Sequence, residues 1–394
     1  MNAIRTALVI GGGIAGHTTA MALQKAGIEA TVCEAYPSPA EALGGPIAVA
    51  ANGVAGLQVI GAESVVLDHS YPIVRQVTQI GAKTIRMPGL ADVPAMRLIL
   101  RQDLYVALQR LAASRGIETR FGKRLVDAVD DGDSVTARFA DGTEATGDLL
   151  IGADGVHSTV RRLIDPNAPH AHYTGMVSVD GWSPLEVGEP DVMSFTFGAN
   201  AYYLYWRHPQ GGTVYGVNLP RPDPMSVRDA RAIAAERWQQ TLLEVYGADA
   251  PGGELIRTTP LERLNATGGL SIMPVVPHWS RGRSVIVGDA AHAPSNSSGQ
   301  GASLAIESAI EIARCLRDAT GPAAALAAYE ARRRPRVEGI ARRANRINQA
   351  KAPGRLGRAM AAALMPMIMK AAMNPEKVFG PELRYRIDWD APAI

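Results

Sequence analysis

The chain has 394 residues, enough to enclose two separate cores. Hydrophobic residues make up 47% and charged residues 20%, a balance that excludes a disordered or fibrous chain, and no internal repeat points to an array. A formal net charge of +2 argues against a strongly charged partner such as nucleic acid, and no apolar run approaches the roughly 18 residues needed to cross a bilayer.

The first strand is expected within a few residues of Met1, so no cleaved leader and a cytoplasmic location are expected. Thr6 to Ile10 is a short, β-rich apolar run, the pattern of a buried parallel strand, and it enters GGGIAG (Gly11 to Gly16) directly. Ala15 to Ala26 then carries good helix formers and stops at Gly27. Strand, glycine turn and helix in that order form a unit for an adenine dinucleotide. Gly11 allows the turn, Gly13 lets a pyrophosphate approach, and Gly16 lets the helix pack on the strand, while Ile14 and Ala15 bring first-turn amides to the phosphates. A second strand, Glu29 to Cys33, delivers Glu34 and Ala35 roughly 20 residues on, where an acid accepts from ribose hydroxyls. His17 is expected as a partly exposed ring on the first helical turn. Cys33 and Cys315 stand in apolar surroundings without CxxC or histidine spacing, so buried thiols are expected and no metal site.

Tyr36 to Asn52 is rich in Pro, Ala and Gly and reads as an irregular loop. A helix follows from Arg101 and Asp103, with Leu104, Leu108 and Leu111 on one face and a stop at Gly116. Beyond Val126 the pattern alternates, and the runs Ser134 to Phe139 and Glu144 to Gly147 flank a hairpin turn at Asp141 and Gly142. These lead into LLIGADG, Leu149 to Gly155. The zone from Tyr173 to Leu270 is β-rich, with strands expected over 193–198, 201–206 and 213–218, a helix over 226–246, and the stretch 76–86 joining the same sheet. Alternation puts Tyr203 and Tyr205 on one face of their strand and Tyr202 and Trp206 on the other. One face is expected to line a cleft and the other to be core, with Tyr203 and Tyr205 assigned to the cleft.

The third glycine-bearing segment is GDAAHAPSNSSGQG, Gly288 to Gly301. Ser284 to Val287 reads as a buried strand with Asp289 just past its carboxyl end, where ligands collect in open α/β sheets. Gly299, Gln300 and Gly301 then open a helix bearing Leu304, Ala305, Ala309 and Ile312. In this order and with these gaps, the three segments resemble the FAD-dependent aromatic hydroxylase-type monooxygenases, the p-hydroxybenzoate hydroxylase-like flavoproteins.

That resemblance implies an α/β (α+β) fold. A Rossmann-like FAD-binding domain would take 1–74, 97–172 and 271–350; a substrate domain on a mostly antiparallel sheet would take 75–96 and 173–270; and 351–394 would form a C-terminal helical segment. It also implies roles. Arg101 contacts the FAD pyrophosphate or ribityl chain, Leu125 meets adenine through its backbone, and Asp289 binds the ribityl chain. Asp154 holds loop amides on a surface shared by FAD and transient NADH or NADPH, and Arg161 contacts a phosphate. Gly299, Gly301 and Ala302 point a helix start at the flavin pyrimidine, where reduction builds negative charge. Gly45, Pro46, Ile47, Pro294 and Asn296 lie near the ring or the substrate. The chain departs from the family pattern at Asn296, Ser303 and Ser308, where proline, asparagine and an acid are usual.

The activity implied is reduction of FAD by NAD(P)H, addition of dioxygen at flavin C4a, and transfer of one oxygen to a hydrophobic, aromatic or polycyclic small molecule, by hydroxylation or epoxidation. A monomer or homodimer is expected, and no residue stands out as a catalytic acid or base. A single dinucleotide fingerprint without a CxxxxC pair excludes a disulfide oxidoreductase. Two rival readings are a reductase of the geranylgeranyl reductase type and a flavin-binding regulator acting through the basic run 329–351, which is otherwise expected as a solvated face. The methionines gathered over 359–373 are expected as core packing.

Overall fold

The computed structural model of the protein describes residues 4–38, 45–81, 83–87, 89–350 and 374–394. In chain order the strands are β1 (Thr6–Ile10), β2 (Glu29–Cys33), β3 (Pro46–Val49), β4 (Tyr71–Ile73), β5 (Arg75–Ile80), β6 (Lys83–Arg86), β7 (Met96–Leu100), β8 (Glu118–Arg120), β9 (Leu125–Asp130) and β10 (Val135–Phe139). They continue as β11 (Glu144–Gly147), β12 (Leu149–Gly152), β13 (His172–Ser183), β14 (Val192–Phe197), β15 (Tyr202–Arg207), β16 (Thr213–Pro220), β17 (Leu264–Ile272), β18 (Ser280–Arg281) and β19 (Ser284–Ile286). The helices are α1 (Ile14–Lys25), α2 (Ala51–Val59), α3 (Ser64–Leu67), α4 (Arg101–Ser114), α5 (Thr159–Ile164), α6 (Val227–Ala232), α7 (Ala235–Tyr246), α8 (Gly252–Thr258), α9 (Gly301–Asp318), α10 (Pro322–Ala350), α11 (Pro375–Val378) and α12 (Gly380–Leu383).

Two large sheets organise these elements. The first runs β18-β19-β12-β1-β2-β8 and is parallel except at the β18 edge. Its central strands are buried on both faces, which is why they read as continuous Val, Ile and Leu runs rather than alternating ones. Helices α1 and α9 pack on it, burying Met21, Leu23, Leu304, Ile306 and Ile310 in one core. The second runs β17-β13-β16-β15-β14-β5-β6 and is antiparallel except where β5 meets β14. A three-stranded sheet, β3-β7-β4, lies with its Leu98 and Ile73 against Trp206 and Met193 of the second sheet. No helix among the described residues is long and apolar enough to cross a membrane.

Several expectations need correction. Part of the stretch read as a loop is strand β3, paired antiparallel with β7 over Pro46–Val49. The single helix expected over 226–246 is two, because Ile233 and Ala234 are extended, with ψ of 129° and 144°. The Ala230 carbonyl near that break accepts instead from Trp238 Nε1 at 2.9 Å. His17 is fully buried, edge-on to Tyr105, and burial pulls its pKa down to about 4. Both cysteines are buried, as expected, and burial pushes their thiols up to about 11 for Cys33 and about 12 for Cys315. The described part of the C-terminal segment carries helices, as expected, in α11 and α12, and then a tail held by Arg314 and Arg317 through the carbonyls of Trp389 and Ala391. The methionine-rich stretch 359–373 lies outside the described residues.

Much of the described basic run of α10 is not a solvated face, although Arg342 is exposed. Arg333 is fully buried and pairs with Glu307 at 2.8 Å, Arg336 reaches both Glu307 oxygens at 2.8 Å, Arg332 pairs with the buried Glu311, and Arg343 pairs with Glu382. Burial alone would disfavour the Glu307 carboxylate, but the two guanidiniums outweigh it and hold its pKa below the usual range. Glu307→Gln would leave Arg333 buried without its counter-charge, which is expected to cost about 3–5 kcal/mol. Because the native pKa is depressed, the advantage of wild type over the variant should be full above the ordinary glutamate range and shrink as pH falls through it. Urea denaturation at pH 7 and at pH 4 checks both the size and the sign.

Candidate flavin site and the cleft that faces it

Parallel strands β1 and β2 end side by side, with Ile10 paired to Cys33, and the glycine turn and Glu34 follow directly from their carboxyl ends. Gly11 turns the chain with φ +99°, a conformation that penalises any side chain, and its amide donates to the Cys33 carbonyl at 2.8 Å. A Cβ at Gly16 would overlap the Gly11 carbonyl, so helix α1 can lie this close to the turn only with glycine there. Gly13 is different. A Cβ added to it meets no described residue within 4 Å, and no described side chain caps α1, so the first-turn amides at Ile14 and Ala15 have no capping acceptor. Glu34 is buried and accepts from the Gly12 amide at 2.6 Å and from the Tyr36 amide at 2.8 Å, which ties the glycine turn to the end of β2. The half-buried Ala35 follows it, and Leu125 is buried at the start of β9.

Asp154, past the end of β12, is the hinge of the second segment. Its Oδ2 accepts from the amides of Thr159 at 2.7 Å and Val160 at 3.1 Å, holding the loop onto the start of α5. Arg161, expected as a phosphate contact, is buried and spends its guanidinium on the carbonyls of Ala290 at 2.9 Å and Val156 at 2.8 Å. It is a clamp between the second and third segments, because an arginine buried here must find acceptors nearby. Asp289 lies past β19, and burial raises its pKa against the opposing pull of the Arg101 guanidinium. Arg101 opens α4, is exposed, and its amide donates to the Gly45 carbonyl at 3.3 Å.

At the other end, Gly299 adopts φ +60° and leads through Gln300 into α9. Among the described residues nothing lies within 4 Å of a Cβ at Gly299 or Gly301 and no side chain caps this helix, while Ala302 is buried behind it. Asn52 Nδ2 donates to Gln300 Oε1 at 2.9 Å and to Glu307 Oε1 at 2.7 Å. Ser303 Oγ accepts from the Ala50 amide at 3.0 Å, and a Cβ at Gly53 would fall within 2.6 Å of that oxygen. Serine in place of asparagine therefore goes with a close approach of α2 to α9. Ser308 Oγ meets His292 Nε2 at 2.9 Å and Arg333 Nε at 3.2 Å. Pro294 is half-buried and Asn296 exposed on the loop before Gly299.

The two faces of the seven-stranded sheet are distinct. Val177, Val179, Tyr203, Tyr205, Tyr215 and Val217 are buried beneath Trp238, Leu242 and Tyr246 of α7. The assignment of Tyr203 and Tyr205 to the cleft is therefore corrected: stacked on each other, with Tyr203 edge-on to Tyr246, they form the helix-covered core. The opposite face carries Asp180, Phe195, Leu204 and Gly216, all only partly buried, and turns toward Gly45 and β3. Strand registers place Asp180, Gly216, Leu204 and Phe195 in one transverse row. Gly45, Pro46 and Ile47 are half-buried opposite, and a Cβ at Gly45 would overlap the Asp180 carboxylate. Asp180 was not singled out by its sequence. The only available signal was an acid on the strand face opposite Val177 and Val179.

Open glycines at two uncapped helix starts, with buried acids between them, fit an extended dinucleotide such as FAD: amides for its phosphates at α1, space for its ring at α9. Comparison with known proteins agrees. Residues 5–344 match the family model described as FAD binding domain. Aurachin C monooxygenase/isomerase of Stigmatella aurantiaca is 30% identical over 352 residues, covering 87% of this chain and 89% of the relative. The 3-amino-4-hydroxybenzoate 2-monooxygenase of Streptomyces cremeus is 30% identical over 366 residues, 86% of either chain. A solved structure of an HpxO variant from Klebsiella pneumoniae in complex with FAD superposes with a TM-score of 0.79 at 25% identity, covering 91% of this chain and 93% of the other. The chain belongs to the FAD-dependent aromatic hydroxylase-type monooxygenases.

Proposed function

We propose that the protein uses NADH or NADPH to reduce its FAD and inserts one atom of dioxygen into a hydrophobic aromatic or polycyclic small molecule, by hydroxylation or epoxidation. FAD supplies the oxygen chemistry when bound. The chain's own residues hold it: Glu34 at the ribose, the first turn of α1 at the pyrophosphate, Arg101 and Asp289 along the ribityl chain, and the start of α9 beside the pyrimidine. The supporting observation is the uncapped start of α9 beside the glycines at 299 and 301, held by Asn52 and the Glu307 cluster behind it. A helix start so placed favours negative charge on the ring it faces. Asp154 orients a loop that both FAD and a visiting nicotinamide would share. The half-buried row on β13, β16, β15 and β14 would take the substrate and exclude water from it.

The test is NADPH and NADH oxidation under ¹⁸O₂ with a panel of phenols and fused-ring heteroaromatics, read by product mass. A gain of a single ¹⁸O atom supports monooxygenation. Reduction of the substrate with no oxygen gained would move the reading to a reductase.

Glu34→Gln removes the charge from a carboxylate that already accepts from two amides, so the glycine turn and its ligand should both loosen. FAD affinity is expected to fall about 10- to 100-fold, corresponding to about 1.5–3 kcal/mol for a hydrogen bond to a charged group. Fluorescence titration of the apoprotein with FAD measures this, and unchanged affinity would remove Glu34 from the site.

A further inference from the structure

We propose that Asp180 anchors the substrate: it accepts a hydrogen bond from an O–H or N–H group on a flat aromatic ring lying over Gly216 and Leu204, and it turns away rings that present a carboxylate. This rests on the monooxygenase reading above and adds the polar chemistry of the substrate to it.

Three observations carry the proposal. First, Asp180 Oδ2 is completely buried and has no hydrogen-bond partner among the described residues, a costly arrangement that persists when a site needs the group free. Second, it stands at the seam between the second sheet and β3-β7-β4, packed against Gly45 at the entry to β3 and aligned with Gly216, Leu204 and Phe195, of which Leu204 and Phe195 are partly buried against that smaller sheet. Third, the row is otherwise apolar on that side and has a glycine beside the acid, with a Cβ at Gly216 lying 3.5 Å from Asp180 Oδ1 and 3.7 Å from Leu204 Cδ1. A thin apolar shelf with one acceptor at its end fits a planar ring with one donor.

Among the described residues, the groups facing Asp180 are few. Arg101 at the start of α4 favours its charged form, Tyr215 on β16 feels its charge from the helix-covered side, and Asn265 lies opposite it on β17. Burial outweighs Arg101 and raises the carboxyl to about 7. Above that pH the ionised group is an acceptor only, and it can take the proton of a bound phenol: the O–H bond breaks, its electron pair stays on the phenol oxygen, and the proton bonds to the carboxylate. The resulting phenolate is the more electron-rich ring.

The sign of the linkage gives a readout independent of turnover. A carboxyl whose native pKa is raised contributes stability that is full below the ordinary aspartate range and is lost as pH rises through about 7. Asp180→Asn cannot ionise, so it should melt above wild type at pH 8 and approach wild type at pH 4.

The experiment titrates FAD-loaded wild type, Asp180→Asn and Asp180→Ser with 1-naphthol, 1-methoxynaphthalene and 1-naphthoate, followed by the flavin absorbance change between pH 6 and pH 8. Wild type should bind the naphthol at least tenfold more tightly than its methyl ether, with the preference growing as pH rises. In both variants that preference should shrink and no longer grow with pH, because the remaining amide or hydroxyl oxygen accepts without charge, and naphthoate should bind the variants better than wild type at pH 8. Equal preference in wild type and variants overturns the proposal, as does failure of all three probes to perturb the flavin. A protein that takes up no FAD, or whose products gain no oxygen, would instead overturn the function proposed above. A variant indistinguishable from a competent, oxygenating wild type would overturn only the role of Asp180.

Discussion

Glu307 is the carboxylate on which the cofactor end of this protein depends. It lies within α9, fully buried, and gathers Asn52 from α2 and both Arg333 and Arg336 from α10. Such a cluster is expensive to bury and is stabilising only when every member is satisfied. Here both oxygens of Glu307 are filled from two other helices, although Asn52 Oδ1 is left without a hydrogen-bond partner among the described residues, so neither helix can shift without exposing the Glu307 charge to apolar surroundings. Asn52 spends its other hydrogen on Gln300, and so the cluster extends to the residue between the two open glycines. The helix start that would face the flavin is therefore fixed from behind by ion pairs and left open in front.

The second sheet solves a different problem. One face must be sealed, and α7 and α8 seal it with Trp238, Leu242, Tyr246 and Leu255 over a tyrosine-rich core. The other face must stay partly open while lying against the flavin-binding part of the chain. Alternation along β16 shows the division directly: Tyr215, Val217 and Leu219 are buried, while Val214, Gly216 and Asn218 are not. The sheet β3-β7-β4 covers part of that face, at Trp206 and Met193 with Phe195 and Leu204 packed partly buried beside them, and the row continues from there through Gly216 to Asp180 beside Gly45.

What the sequence disclosed follows from which interactions are local. The strand, glycine turn and helix at the start of the chain, the hairpin around Gly142 and the helix from Arg101 are legible because each is specified by neighbouring residues: a glycine where φ is positive, a leucine every third or fourth position. The role of Asp154 as a holder of loop amides was legible for the same reason, its partners being five and six residues away. The arginines of α10 misled because their partners on α9 and in the tail are more than 20 residues distant, and a charge run gives no hint that it will be buried. Tyr203 and Tyr205 misled because alternation sorts residues into two faces without saying which face is covered. That decision belongs to α7, whose position is a tertiary fact.

Glu307 and Asp180 show why one buried acid builds the scaffold and another is available for chemistry. Desolvation acts on both in the same direction, favouring the neutral form. At Glu307 two guanidiniums and an amide lie in direct contact, and their attraction exceeds the cost of burial, so the charge is permanent and its hydrogen-bonding capacity is filled. At Asp180 the only cation among the described residues whose charge reaches it is Arg101, an exposed side chain whose field is weakened by solvent and which also acts on Asp289. One screened cation influencing two buried carboxyls cannot hold either in the ordinary range. The carboxyl at the seam is left near neutrality in pKa and its Oδ2 without a hydrogen-bond partner among the described residues, which is the condition a group must meet to exchange a proton with something that arrives from outside.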